Sequence, residues 1–382
     1  MYTIKRGGAY DRFIMLIEAF LERGCEVHCL SLTPIQIRHP FFHNHVAYWP
    51  FSKMNTWQAR LFVVSIFPLW ALWSGWRNKI DLIVAFGILY AFIQGFSKYL
   101  LRKPMVTLIR GDSSFGLRMR NTYPGLLYLN CRIESLGLRF SDSIITNSGG
   151  LREEISKKLK TRRHIDVKVL PNNIPTIPVP DPQDLIPTRA RYGIPEDAKV
   201  LITAGVLNRG KNIETLISCL AKIEMENLHL LITGDGSTKD DFPYREFLEG
   251  LTRDLKVENR VHFPGWVEKE ELSRIYAASD LFILPSMNEG MPNAMLEALG
   301  SDLPCLGSNI PGIRDILYYE ELMFDPTDEQ AIVNKINQVF SDVKFFNRIR
   351  ELCRERKQAF TFDWKQKIFQ TITEGISSPE AN

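Results

Sequence analysis

The sequence predicts an α/β protein built from two doubly wound parallel sheets, and three observations carry that prediction. The first is length, since 382 residues exceed what one core of ordinary size holds. The second is rhythm: short β-rich runs alternate with amphipathic stretches along the chain. The third is a restart of that rhythm after six prolines in the 17 positions from Pro171 to Pro187, a stiff extended linker. A chain that is 45% hydrophobic and 24% charged is globular, which excludes disordered and fibrous classes.

The first half opens with GAYDRFIMLIEAFLERG, a helix that ends at Gly24, and EVHCLSL follows as a strand. DLIVAFG, PMVTLIRG and DSIITNS read as buried strands with helical stretches between them, and VKVLPNNIP closes the half. The second half runs KVLITAGVL (strand), NIETLISCLAKI (helix), LHLLITGDG (strand), REFLEGLTRDL (helix) and RVHFPGW (strand). KEELSRIYAASD, LFILPS, NAMLEALG, LPCLGS and IPGIRDIL continue the alternation, beginning and ending on a helix. In such sheets ligands bind outside the carboxyl ends of the strands, so two of them make a cleft where those ends face.

Charge is uneven. Residues 1–185 carry 24 Lys and Arg against 13 Asp and Glu, whereas residues 186–382 carry 23 against 31. A basic half points to an anionic partner such as a membrane surface, nucleic acid or phosphorylated acceptor. The six cysteines are scattered through apolar contexts and read as core thiols of a reducing compartment. Without a signal peptide, the expected location is the cytoplasm. LFVVSIFPLWALWSGW (61–76) is too short and too interrupted for a span, and is expected to be a buried helix. HPFFHNH (39–45) lacks carboxylates and helical spacing, so a polar loop is expected rather than a metal site. KKLKTRR (157–163) is either a solvated face or a phosphate contact.

The chemistry concentrates in SMNEGMPNAMLEALGSDLP (286–304), where two carboxylates, Glu289 and Glu297, flank a glycine turn and a helix start. Free amides at a helix N-terminus favour phosphate, and Pro292 suits the first helical position. A carboxylate beside phosphate must bond something else, and sugar hydroxyls on either side of a diphosphate satisfy both acids. NEGMPNAMLEAL resembles the E-x7-E signature of the retaining, GT-B glycosyltransferases called GT4. AGVLNRGKNIETLI, LLITGDG, NRVHFPGWVEKEELSRIYAASDLFILPS and LPCLGSNIPGIRDIL follow that family's order and spacing over nearly the whole second half. RGGAYDRFIMLIEAFLERGCEV, VTLIRGD and VLPNNIP carry a weaker likeness in the first half, and FTFDWKQKIFQTI resembles the family's final helix.

The resemblance implies an N-terminal acceptor-binding domain over 1–180 and a C-terminal donor domain over 188–358. Its final helix, about 360–382, is expected to pack back on the first domain. Glu297 would hold the ribose, Glu289 the donor sugar near the reacting carbon, and Gly290, Met291, Pro292 and Asn293 would offer backbone amides. Lys211 matches the diphosphate lysine, Gly7 and Gly8 the glycine loop, and Gly234 a point of close approach. Two departures stand out. The family's arginine is replaced by Val206 after Gly205, leaving Arg209 as its substitute, and its histidine is replaced by Arg110. An arginine is no base, so Arg110 would bind an anion and Asp112 would orient the acceptor hydroxyl.

The implied activity is hexose transfer from a nucleoside-diphosphate sugar to a hydroxyl acceptor, lipid-linked or anionic, at the inner face of a membrane. It belongs to the making of cell-surface polysaccharide or glycolipid, and neither metal nor cofactor nor nucleic acid is expected. Two alternatives stand beside it: a non-catalytic nucleotide-sugar-binding or regulatory subunit, and a nucleotide-sugar epimerase. Free nucleoside diphosphate, released on incubation with donor, separates the transferase from the regulatory subunit.

Overall fold

The computed structural model describes residues 8–31, 34–46, 57–111, 124–159, 165–176, 178–236 and 242–377. The chain divides into two units: Met1–Pro171 with Asp363–Asn382, and Asn172–Phe362.

In the first unit, α1 (Gly8–Leu21) turns its buried Leu16, Ile17 and Leu21 inward and leads to β1 (Val27–Ser31). β1 pairs in parallel with β2 (Phe42–Val46) and the two form a sheet of their own. α2 (Trp57–Arg77) and α3 (Ile88–Leu101) flank β3 (Ile83–Phe86) in the chain. β3, β4 (Met105–Ile109), β5 (Ser143–Thr146) and β6 (Asp166–Val169) then pair in sequence order, all parallel. β4 and β5 are buried at every position, as expected of parallel strands covered on both faces.

The final helix, Trp364–Ser377, belongs to this unit because it packs on α1. Phe369 meets Phe20 edge-on at 5.1 Å, and Arg23 lies 4.8 Å over the Phe369 ring. Lys365 pairs with Glu18 at 2.7 Å and Glu22 at 2.5 Å. Arg12, buried, lies 5.3 Å over the Trp364 ring.

The second unit holds one six-stranded parallel sheet. Its strands are β7 (Lys199–Ala204), β8 (Leu228–Thr233), β9 (Val261–Gly265), β10 (Leu281–Leu284), β11 (Cys305–Ser308) and β12 (Met323–Phe324). Their spatial order is β12-β11-β10-β7-β8-β9, so the order reverses between β7 and β10. The helix Ile213–Lys222 shows why the layers close: Ile213, Leu216, Ile217 and Leu220 recur at helical spacing and are all buried. Asp342 ends one helix (Glu329–Ser341) and caps the next (Val343–Ala359), its carboxylate accepting from the Lys344 and Phe345 amides.

Three expectations are corrected here. The proline segment is extended only to its middle, because Pro182–Asp184 forms a 3-10 turn and Leu185–Arg191 a helix. Pro187 fits there because a first-turn residue needs no amide partner. The 61–76 stretch is helical but only half inside. Phe67, Ala71 and Ser74 are buried while Leu69, Trp73 and Trp76 stand exposed, since one helix face suffices to cover its neighbours. Among the cysteines Cys131 is exposed, on the helix Pro124–Phe140, whereas Cys29, Cys219, Cys305 and Cys353 are core thiols.

Candidate functional site

The reversal point between β7 and β10 is where a doubly wound sheet opens a crevice at its carboxyl edge. Two loops meet there. The loop after β7 carries Gly205 and a 3-10 turn, Arg209–Lys211, capped by Asn208, whose side chain accepts from the Gly210 amide at 3.0 Å. The loop after β10 carries Ser286 to Pro292 and feeds the helix Asn293–Gly300. The Met287 amide donates to the Gly210 carbonyl at 2.9 Å, and the Asn212 side chain donates to the carbonyls of Pro285 and Pro326. These bonds hold the loops in one arrangement.

Lys211 and Glu289, 78 residues apart, close on each other: Nζ lies 2.5 Å from Oε1, and both side chains are largely covered. Ser286 Oγ donates to the same oxygen at 2.9 Å. Glu297, on the helix beyond, accepts from Tyr276 Oη at 3.2 Å. Tyr276 is wholly buried, and burial first and the Glu297 charge second raise its pKa well above 10, so it remains a donor. The two glutamates of the sequence motif therefore meet different partners, Glu289 a lysine and a serine and Glu297 a tyrosine.

Glycine shapes the floor. Gly234 has φ +119°, and a Cβ there would lie 1.9 Å from the Gly205 carbonyl oxygen, so the ends of β7 and β8 touch only as glycines. A Cβ on Gly205 would reach 3.7 Å from Lys211 Nζ, which places that glycine under the lysine. The sequence reading missed Gly312, whose Cβ would fall 2.2 Å from the Glu289 carbonyl oxygen and 2.4 Å from that of Gly290. Its one signal was its place at the start of IPGIRDIL, where the helix Pro311–Leu317 approaches the glutamate loop.

Asn172 was missed as well. It is fully buried and donates from Nδ2 to Asn293 Oδ1 at 2.7 Å and to the Met291 carbonyl at 3.4 Å. VLPNNIP thus braces the helix start, and the Met291 side chain is buried rather than turned to a ligand. Pro292 takes the capping position, not the first helical one. Its ψ of 116° is extended while its carbonyl accepts from the Leu296 amide.

Arg209 shares the turn with Lys211, but its guanidinium stacks 5.2 Å over Phe247 and 5.8 Å over Tyr244. The structure does not bring it into the Lys211–Glu289 pair. In the first unit, Arg110 follows β4 and lies 6.0 Å over the Phe86 ring. Burial first and the Arg12 charge second lower its pKa to about 9, which leaves it cationic at neutral pH. Gly8 begins α1; Gly7, Asp112 and the Lys160–Arg163 part of the basic run lie outside the described residues.

Comparison with known proteins places this geometry. Residues 186–356 match the model of the family described as glycosyl transferases group 1. An uncharacterized glycosyltransferase of Methanocaldococcus jannaschii is 26% identical over 80% of this chain and 75% of its own. The lipopolysaccharide core biosynthesis glycosyltransferase LpsE of Rhizobium meliloti is 28% identical, over 57% of this chain and 59% of its own, little more than half its length. Among solved structures, HepE of Anabaena in complex with UDP and glucose superposes with a TM-score of 0.79 at 19% identity, covering 98% of both chains.

Proposed function

We propose, from the premise that this chain is a GT-B glycosyltransferase with a group 1 domain over residues 186–356, that it is a retaining hexosyltransferase. In this reading it moves a hexose from a nucleoside-diphosphate sugar to a hydroxyl acceptor. The observation that carries the reading is the Lys211–Glu289 pair at the sheet's reversal point, with Gly205 beneath it. A lysine satisfied by a carboxylate is held ready for exchange. A donor diphosphate takes over Lys211, and Glu289 is released to accept from the sugar's hydroxyls. Ser286 keeps Glu289 in place through that exchange.

Glu297 then holds the ribose, and Tyr276 fixes its orientation. Lys211 and the amides around Gly290 to Asn293 stabilise the departing diphosphate, a preorganised charge of the kind that is usually the largest catalytic contribution. These groups replace a metal ion, so donor binding should survive chelation. HepE, with UDP and glucose bound, supports a nucleoside-diphosphate donor, and LpsE supports an acceptor of the cell-surface class.

The acceptor side belongs to the first unit, with Arg110 as an anion contact. Membrane contact at the inner face joins this reading because that unit exposes apolar side chains on neighbouring helices. Ile66, Leu69, Trp73 and Trp76 of α2 and Phe96, Tyr99 and Leu100 of α3 are all exposed, and Arg77 lies 5.2 Å over the Trp73 ring. Aromatic rings beside arginine suit the polar–apolar boundary of a bilayer. Among the described residues no helix is long and apolar enough to cross it.

The test is incubation with UDP- and GDP-sugars and a membrane extract, following free nucleoside diphosphate and the anomeric configuration of the product. A retained configuration supports the reading; tight donor binding without diphosphate release would make the chain a binding subunit instead. Anionic vesicles test the membrane contact, since Trp73→Ser with Trp76→Ser should reduce co-sedimentation that salt alone does not abolish.

A further inference from the structure

We propose that Glu26, His28 and His43 form a site for a divalent transition-metal ion of the Zn²⁺ class, which clips β1 to β2. The polar loop expected for HPFFHNH is in fact largely a strand, because β2 runs Phe42–Val46 in parallel register with β1. That register sets His28 opposite His43 and Leu30 opposite His45. Side chains alternate along a strand, so His43 and His45 share one face of β2. The His28 ring stacks on His43 at 4.8 Å and on His45 at 5.2 Å, with interplanar angles of 20° and 18°.

The missing carboxylate comes from just before β1. Glu26 Oε1 lies 3.3 Å from His28 Nε2 and 2.8 Å from His43 Nε2, and these ligand atoms all fall within 4.8 Å of one another. Tetrahedral zinc with bonds of about 2.0–2.1 Å sets its ligand atoms roughly 3.3 Å apart, so an ion needs only small side-chain adjustments to enter. Two imidazoles and one carboxylate suit zinc and leave a fourth position for water. His28 Nδ1, its other ring nitrogen, lies 2.9 Å from His45 Nε2. That outer contact fixes the ring as second partners of metal-bound histidines do. Glu26 is exposed and His43 half-buried, which gives an ion a way in.

A second histidine pair in the molecule shows what is special here. In the other unit, His229 and His262 stack at 5.2 Å and 17°, with Nδ1 to Nε2 again 2.9 Å. Stacked histidines on neighbouring parallel strands are thus a packing motif this fold uses twice. Only the cluster in the first unit adds a third histidine and a carboxylate, and among the described residues it is the one group able to hold an ion. An ion there also has a structural use. It ties the start of β1, through Glu26 and His28, to β2 through His43.

Calorimetry with zinc chloride on the tag-free, chelator-stripped full chain is the test. One saturable ion per chain is expected, with a rise in melting temperature and unchanged nucleoside-diphosphate affinity. Glu26→Gln and His43→Ala should each abolish the binding, whereas His262→Ala should leave it intact. His45→Ala should weaken it by about 10–100-fold, the range for lost outer-shell partners. Co²⁺ in place of zinc reports the ligands by its visible spectrum. No saturable binding, binding that survives Glu26→Gln with His43→Ala, or binding that needs Cys25 would each overturn the proposal. Glu26→Gln is an exposed change, so its result holds even if a histidine variant fails to fold.

Discussion

The two units of this molecule are both built on parallel sheets, and they differ in what they carry. In the second, six strands form one sheet, and one continuous apolar cluster runs from Ile194 to Phe360. In the first, the described strands fall into a parallel pair and a parallel set of four. The second unit's sheet carries the Lys211–Glu289 pair, on two loops joined by the Met287–Gly210 hydrogen bond. The first unit carries exposed aromatics on α2 and α3, the three-histidine cluster and buried Arg12. The charged pair of the candidate site and the exposed apolar side chains of α2 and α3 thus belong to different units.

The sharpest way to break that comparison is Lys211→Ala. If the second unit holds the catalytic charge, turnover should fall by about 10²–10³ with the melting temperature nearly unchanged. Arg110→Ala, in the first unit, should instead raise the Michaelis constant for the acceptor. Equal losses of turnover in both would erase the distinction.

Next in size is Glu297→Gln. A hydrogen bond to a charged group contributes about 1.5–3 kcal/mol, so nucleoside-diphosphate affinity should drop about tenfold or more by calorimetry. Unchanged affinity would remove the ribose role and leave Glu297 a structural partner of Tyr276.

The smallest effect concerns pH. Burial first and His229 second hold the pKa of His262 down at about 4, against an ordinary 6.5. Between those values the unfolded chain binds a proton that the folded unit does not, so stability falls as pH falls through that window and levels off below it. Above pH 6.5 both states are neutral there and the effect vanishes. His262→Gln should flatten this part of the melting-temperature profile by a few degrees at most; an unchanged profile would assign acid sensitivity to carboxylates instead.

Much of this was legible in the residues. The strands LHLLIT and LFIL are continuous apolar runs, and IETLISCLAK repeats at helical spacing, so local pattern alone marks them. Glu289 and Glu297 stood out because carboxylates beside a glycine turn and a helix start have a chemical reason to be there, and Lys211 stood out through the family resemblance. Asn172 and Gly312 did not stand out. One acts through a buried amide reaching a helix 121 residues on, and the other through the atom it lacks.

The sequence by itself determined the alternation of strand and helix, the two-unit division and the identity of the charged groups. Those follow from periodicity and side-chain chemistry, which are local properties. Tertiary structure alone decided that Lys211 meets Glu289, that Arg209 stacks on Phe247 instead, and that Glu26 joins His28 and His43. It also turned the 61–76 helix half outward. Each of these depends on strand order, register or which helix face finds a neighbour, and those are settled by packing between residues far apart in the chain.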